Sequence, residues 1–181
     1  AKAAQRGLRL VADDLHEHVR RAPGGYTVAC AFQVLEHVPS PGEFVRSLAS
    51  AVAPGGRIIV SVPSADSFLG RQTGNPLNLP PHHLTWWPDR SFEVIAEPMG
   101  LKLMNVEHHP LDPVSFDAFV HTYLVARLGG DGRRLDPSFA AAMRQRVARR
   151  LTPWIRRLLR AEVAAARGEC VTAVFVRLAR D

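Results

Sequence analysis

The sequence predicts an α/β fold, and three observations carry that expectation. Two continuous apolar runs, Tyr26–Phe32 (YTVACAF) and Arg57–Val62 (RIIVSV), have the character of parallel strands buried on both faces. The segment between them, SPGEFVRSLASAV, has helical periodicity, so strand, helix and strand form a βαβ unit with parallel strands and a right-handed crossover. A second helix-then-strand pair and a strong final strand extend the same pattern.

In chain order, GLRLVADDL reads as a short strand, Leu8–Ala12, that ends in Asp13 and Asp14. Ala22–Gly25 (APGG) is a turn, because Pro and Gly supply backbone angles that a strand cannot use. After Tyr26–Phe32, Ser40 is placed to cap a helix whose first residue is Pro41. Phe44, Leu48 and Val52 share one face of it, and a second APGG ends it before Arg57–Val62. From Ala65 to Asp89 the pattern is lost in Gly, Pro, Asn, two Trp and two His; a loop this long in a compact domain is usually functional. DRSFEVIAEPMG is a helix with Phe92, Ile95, Ala96 and Met99 on one side and Gly100 at its end. LKLMNVEHH is a strand of alternating character, residues 114–128 and 138–166 read as helices, and ECVTAVFVRLAR is the last strand. Gly129–Gly132 (GGDG) follows a helix, which is the wrong context for a phosphate-binding loop, and is read as a linker. The expected organisation is a core over 1–110, a helical insertion over 111–168 and a closing core strand over 169–181.

Length and composition exclude several classes. The chain has 181 residues, 46% hydrophobic and 22% charged, as expected of one soluble domain with a sizeable core. No apolar run is long enough to cross a membrane and no signal segment opens the chain, so a cytoplasmic location is expected. Cys30 and Cys170 both lie in apolar runs and read as buried free thiols. The net charge of +6 is concentrated in the last third, where Arg133, Arg134, Arg144, Arg146, Arg149, Arg150, Arg156, Arg157 and Arg160 crowd together. The first reading of these arginines is a solvated helix face; contact with lipid or nucleic acid is the alternative.

The chemistry gathers where Tyr26–Phe32 runs into FQVLEHVP. Glu36 and His37 at the carboxyl end of a buried strand are costly without a ligand or polar partner, and open α/β sheets bind ligands there. At this point the sequence resembles a class I S-adenosylmethionine-dependent methyltransferase, of the bacterial small-molecule type with LEH and PPHH motifs. The resemblance rests on the strand ending in LEH, on VPSP, the amphipathic helix, APGG, the strand ending in VPS, and LNLPPHHLTWWPDRSFEVIAEPMGL. It implies a Rossmann-like sheet in which Leu8–Ala12 is the third strand and the four later runs are the fourth to seventh, with an enlarged helical insertion before the last. The family's glycine-rich cofactor loop and the acidic residue ending its second strand are absent, so the chain is expected to be the carboxyl-terminal portion of a longer enzyme, inactive alone.

The resemblance also implies roles. Asp14 and Leu15 match the adenine-contacting positions, with capping of a helix or turn as the alternative role for Asp14. Phe32 and Gln33 match the positions along the methionine moiety of S-adenosyl-L-methionine. Ubiquinone-pathway O-methyltransferases and small-RNA 3′-terminal 2′-O-methyltransferases carry Glu-x-x-Glu-His, which binds a divalent metal. Here Gln33 replaces the first carboxylate, an amide brings no charge to a hard cation, and no bound metal is expected. His37 and His83 are then the candidate general bases, since imidazole titrates near neutrality. Glu36, His82, Trp86 and Trp87 are candidate substrate contacts; bracing of the loop is the alternative for Glu36 and His37, and packing on the next helix for the two Trp. His16, His18, His108, His109 and His121 are expected to be exposed and not to act as ligands.

The implied activity is methyl transfer to an oxygen or nitrogen of a small molecule. An RNA 2′-O-methyltransferase and a non-catalytic binding or scaffold domain are the alternatives, with nucleic acid the weaker partner. Phe139, Met143, Val147 and Leu151, followed by Trp154, Ile155, Leu158 and Leu159, form an apolar stripe that has to be buried somewhere. A lid over the substrate is the first reading, a homodimer contact the second and a membrane surface the third.

Overall fold

In a computed structural model, the structure describes residues 2–72, 75–130, 138–159 and 166–179. The part of GGDG at 131–132 and the residues Arg133, Arg134, Arg160 and Glu162 lie outside the described residues. The described elements are α1 (Lys2–Gln5), α2 (Leu15–Arg21), β1 (Tyr26–Phe32), α3 (Pro41–Ala51), β2 (Val52–Pro63), α4 (Arg90–Ala96), β3 (Leu101–Pro110), α5 (Phe116–Arg127), α6 (Phe139–Ile155) and β4 (Arg167–Arg177). The four strands form one sheet in the order β1-β2-β4-β3. β1 and β2 are parallel, as the intervening α3 requires, while β4 runs antiparallel to both β2 and β3.

α3 begins where Pro41 presets the first helical residue, although the Ser40 hydroxyl makes no capping hydrogen bond. It buries Val45, Leu48 and Ala49 on the sheet. Across β2 and β4 the register pairs Ile58 with Phe175, Val60 with Ala173 and Val62 with Val171, and all six side chains are buried. These cross-strand pairs form the centre of the core. α4 closes the same core with Phe92 and Ala96, and its chain reverses into β3 through Gly100 at φ +64°. A second, smaller core lies between α5 and α6, where Val120, Leu124, Val125 and Ala148 meet. The edge-to-face pair Phe68–Phe119, with centroids 5.7 Å apart, links α5 to the loop after β2. Among the described residues no helix is long and apolar enough to cross a membrane.

Three expectations are corrected. Leu8–Ala12 is not a strand; it is irregular, with Leu8, Leu10 and Val11 exposed. A strand exists only where neighbouring backbone pairs with it, and no described strand lies beside this segment. β1 is not buried on both faces: among the described residues it ends the sheet, and Tyr26, Val28 and Phe32 are exposed. For the same reason Cys30 is an exposed thiol, whereas Cys170 on β4 is half-buried; both are free.

Candidate functional site

Gln33 turns the chain at the end of β1. It sits at φ +55°, in the left-handed region, while its N–H still donates to the Ser61 carbonyl of β2 at 2.8 Å. The turn, closed by His37 N–H to Val34 C=O at 3.0 Å, sends Leu35 and Glu36 inward. Glu36 is 1% exposed, yet neither carboxylate oxygen has a hydrogen-bond partner among the described residues. Burial pushes its pKa up, only partly offset by its own backbone amide and by His37.

The Glu36 carbonyl accepts the Leu84 N–H at 2.8 Å and the Thr85 N–H at 3.3 Å, so this residue's backbone anchors the Pro-rich loop. The His82 carbonyl meets His37 Nδ1, which must then carry the ring proton in neutral His37. His37 Nε2 is left with a lone pair, 3.6 Å from Glu36 Oε1. His83 lies edge-on to His37 with centroids 5.1 Å apart, and Trp86 edge-on to His83 at 6.0 Å. Ligand atoms of Glu36, His37 and His83 all lie within 4.8 Å of one another. One carboxylate and two imidazoles are the donor set of zinc or another first-row divalent ion, so these three residues could hold one.

The structure thus brings Glu36, His37, His82, His83 and Trp86 together. Trp87 is separate: it is buried, stacked on Phe92 with centroids 5.8 Å apart, and its indole N–H donates to Thr85 Oγ1 at 3.0 Å. Only part of its surface lines a shallow cleft of about 450 Å3 that it shares with Trp86 and α4. Asp14 and Leu15 stand elsewhere, lining a cleft of about 630 Å3 between α2 and α3. Asp14 is also the N-cap of α2, accepting the His16 N–H at 2.8 Å. Phe32 is 58% exposed at the strand end, outside the lining of that cleft.

Three groups lie in surroundings other than those the sequence reading gave them: Cys170, His108 and His121 are all half-buried. Cys170 Sγ lies 3.6 Å from Gln33 Nε2, and burial first, then Glu169 and Glu36, raise its pKa. His108 is not exposed as expected: its Nε2 lies 2.9 Å from Asp89 Oδ2, which Arg167 also contacts at 3.4 Å. His121 is half-buried, and burial lowers its pKa. Strand alternation at the sheet edge could have flagged His108, whereas nothing local marks Cys170 as a neighbour of Gln33.

A family model described as "Methyltransferase domain" matches residues 3–106. Among curated proteins, the chain is 36% identical over 61 residues to "Ubiquinone biosynthesis O-methyltransferase" of Aeromonas salmonicida (strain A449), covering 33% of this chain and 26% of that protein. The chain therefore spans about a quarter or less of the curated relatives it matches. Among solved structures it is similar to a "SAM dependent methyltransferase from Archaeoglobus fulgidus", with TM-score 0.54, 15% identity, and 97% of this chain and 71% of that one covered. It is also similar to the "[4+2]-Cyclase SpnF", with TM-score 0.53, 16% identity, and 99% of this chain and 61% of that one covered. Likeness at this identity concerns the fold, which hosts more than one reaction.

Proposed function

Because this chain belongs to the methyltransferase-domain family, we propose that it carries part of the site for methyl transfer from S-adenosylmethionine to an oxygen of a small molecule. The observation that carries the oxygen assignment is the Glu36–His37–His83 cluster at the end of β1. The relative from Aeromonas salmonicida, an O-methyltransferase by name, supports the same assignment.

S-Adenosylmethionine, when bound, supplies an electrophilic methyl group on a sulfonium. The cleft beside Asp14 and Leu15 has a size suited to a small-molecule ring system. Asp14 has a second carboxylate oxygen beyond the one that caps α2, and so fits an amino donor. His37, with its proton fixed on Nδ1 by the His82 carbonyl, presents Nε2 to take the proton of a substrate hydroxyl. That oxygen would be the nucleophile for the methyl group that bound S-adenosylmethionine would supply, its thioether leaving, and His37 would keep the proton. Glu36, 3.6 Å away and out of water, stabilises the imidazolium that forms. His83 and Trp86 wall the same side and help exclude water.

The test is product formation with a panel of phenol, alcohol and amine acceptors, following release of S-adenosylhomocysteine by the whole protein. Methylated oxygen products are expected, with His37→Ala lowering kcat by roughly 100-fold or more. Methylation confined to nitrogen, or an unaffected His37→Ala enzyme, would end the proposal. A second reading, transfer to a ribose 2′-hydroxyl of RNA, draws on His83 joining Glu36 and His37. It requires single-stranded RNA to bind with steep salt dependence.

A further inference from the structure

Of the stripe expected along α6, Ile155 and Leu159 pack against the core between α5 and α6, and the described residues leave the rest uncovered. Phe139, Met143, Val147, Leu151, Trp154 and Leu158 are all exposed, Phe139 and Leu158 at 80% and Trp154 at 73%. The helix packs through its other side, where Ala148 and Thr152 are buried and Ala148 meets Val120, Leu124 and Val125 across the contact with α5. Arg156 pins this orientation, pairing with Asp117 at 3.1 Å and lying over the Phe116 ring. The stripe therefore faces outward, with Trp154 and Leu158 at one end and Phe139 at the other.

Its charge is one-sided. Residues 139–159 contain six arginines and no Asp or Glu. Arg146 and Arg150 on α6, and Arg157 in the turn that follows it with Leu158, are all exposed and run along one edge of the stripe. We propose that this face of α6 docks on an anionic lipid bilayer, lying in the interface with the stripe in the acyl boundary and the arginines on headgroup phosphates. Apolar residues including Trp on one face, flanked by arginines, are the pattern of an interfacial helix. Long guanidinium side chains reach from the buried edge to the phosphates, and Trp prefers that boundary.

Charge decides between occupants. A second copy docked through the same face by a two-fold axis would set one six-arginine segment against another. A lid would need the stripe turned inward, whereas the contact with α5 and the Arg156–Asp117 pair hold it outward. An anionic surface meets both the stripe and its charge, and the net charge of +6 adds long-range attraction.

The experiment is co-sedimentation of the full chain with phosphatidylcholine vesicles, with and without phosphatidylglycerol. The protein should pellet only with the phosphatidylglycerol vesicles, and less as salt rises. Replacing Trp154 and Leu158 together by Ser should lower partitioning roughly tenfold or more. So should replacing Arg146, Arg150 and Arg157 together by Gln, which leaves packing on α5 untouched and guards against a fold effect in the first variant. Circular dichroism of each variant checks folding. No pelleting with anionic vesicles, or pelleting unchanged in the Gln variant, overturns the proposal. A dimer abolished by Trp154→Ser without vesicle binding also overturns it, in favour of a second copy. Capture by single-stranded RNA in place of vesicles overturns it in favour of nucleic acid.

Discussion

Glu36 is the residue on which the site turns, because burial and function pull it in opposite directions. Its raised pKa means that ionising it costs more in the folded state than in the unfolded one. The sign follows directly. Stability from this residue is full below its unfolded value near 4.5 and is lost as pH rises through the folded value. Glu36→Gln removes that loss, so the melting temperature should rise by roughly 2–4 °C at pH 8 and hardly at all at pH 4. Methyl transfer should fall in the same variant, since the imidazolium formed on His37 loses its partner. A variant less stable at pH 8 than the parent would show that the carboxylate is satisfied after all. Metal is the competing resolution of the same buried charge. His37 Nδ1 on the His82 carbonyl would orient either a base or a ligand. With Gln33 where a second carboxylate would stand, we expect activity to survive EDTA. Loss of turnover that manganese or zinc restores would place an ion on Glu36, His37 and His83.

At the scale of elements, β3 and β4 approach each other closely at Gly168. A Cβ built on Gly168 would lie 2.4 Å from the Pro110 carbonyl and 2.8 Å from that of His109. Both neighbours are backbone, so neither can move without breaking the register that ends at Pro110–Arg167. Gly168→Ala should cost about 1–3 kcal/mol in chemical denaturation. An unchanged midpoint would mean that the strand ends separate freely. The α5–α6 pair has a different weakness. Burial and Arg149 lower the His121 pKa, against a hydrogen bond to the Gln145 backbone that raises it. Its neutral form is favoured in the fold, so stability is present above the unfolded value of 6.5 and is lost as pH falls below it. Hydrogen-exchange protection factors in α5 and α6 should fall between pH 7 and 5 before those of the sheet do, and His121→Gln should flatten that response. An equal response in both layers would remove His121 as the cause.

For the whole molecule, the consequence to test is the open edge of the sheet. β1 ends the described sheet and exposes Tyr26, Val28 and Phe32. Exposed, apolar strand edges template pairing with other chains. Light scattering of this 181-residue chain should therefore show concentration-dependent association, and Val28→Lys should suppress it. A monodisperse parent chain would show that the edge is protected. This association is separable from lipid docking, since Val28 is on the sheet and the α6 stripe is not.

Local pattern alone located β1, α3, α4 and β4 to within a few residues, because burial on one face imposes a period that a short window reveals, but it read the first five residues of β2, Val52–Gly56, as helix end and turn. It also marked Glu36 and His37, whose charge at a strand end is anomalous without any knowledge of neighbours. It misread Leu8–Ala12 and the burial of β1, since whether an apolar run becomes a strand, and how deep it lies, depends on what pairs beside it. The site needed tertiary structure for the same reason. His82 lies 45 residues from His37, and hydrogen bonds such as those from Leu84 and Thr85 to the Glu36 carbonyl bring that loop back to the strand end. The sequence contained the α6 stripe; its outward direction was decided by α5, whose Val120, Leu124 and Val125 meet Ala148 on the opposite side of the helix. Periodicity is a property of neighbours in the chain, whereas pairing, burial and orientation belong to neighbours in space.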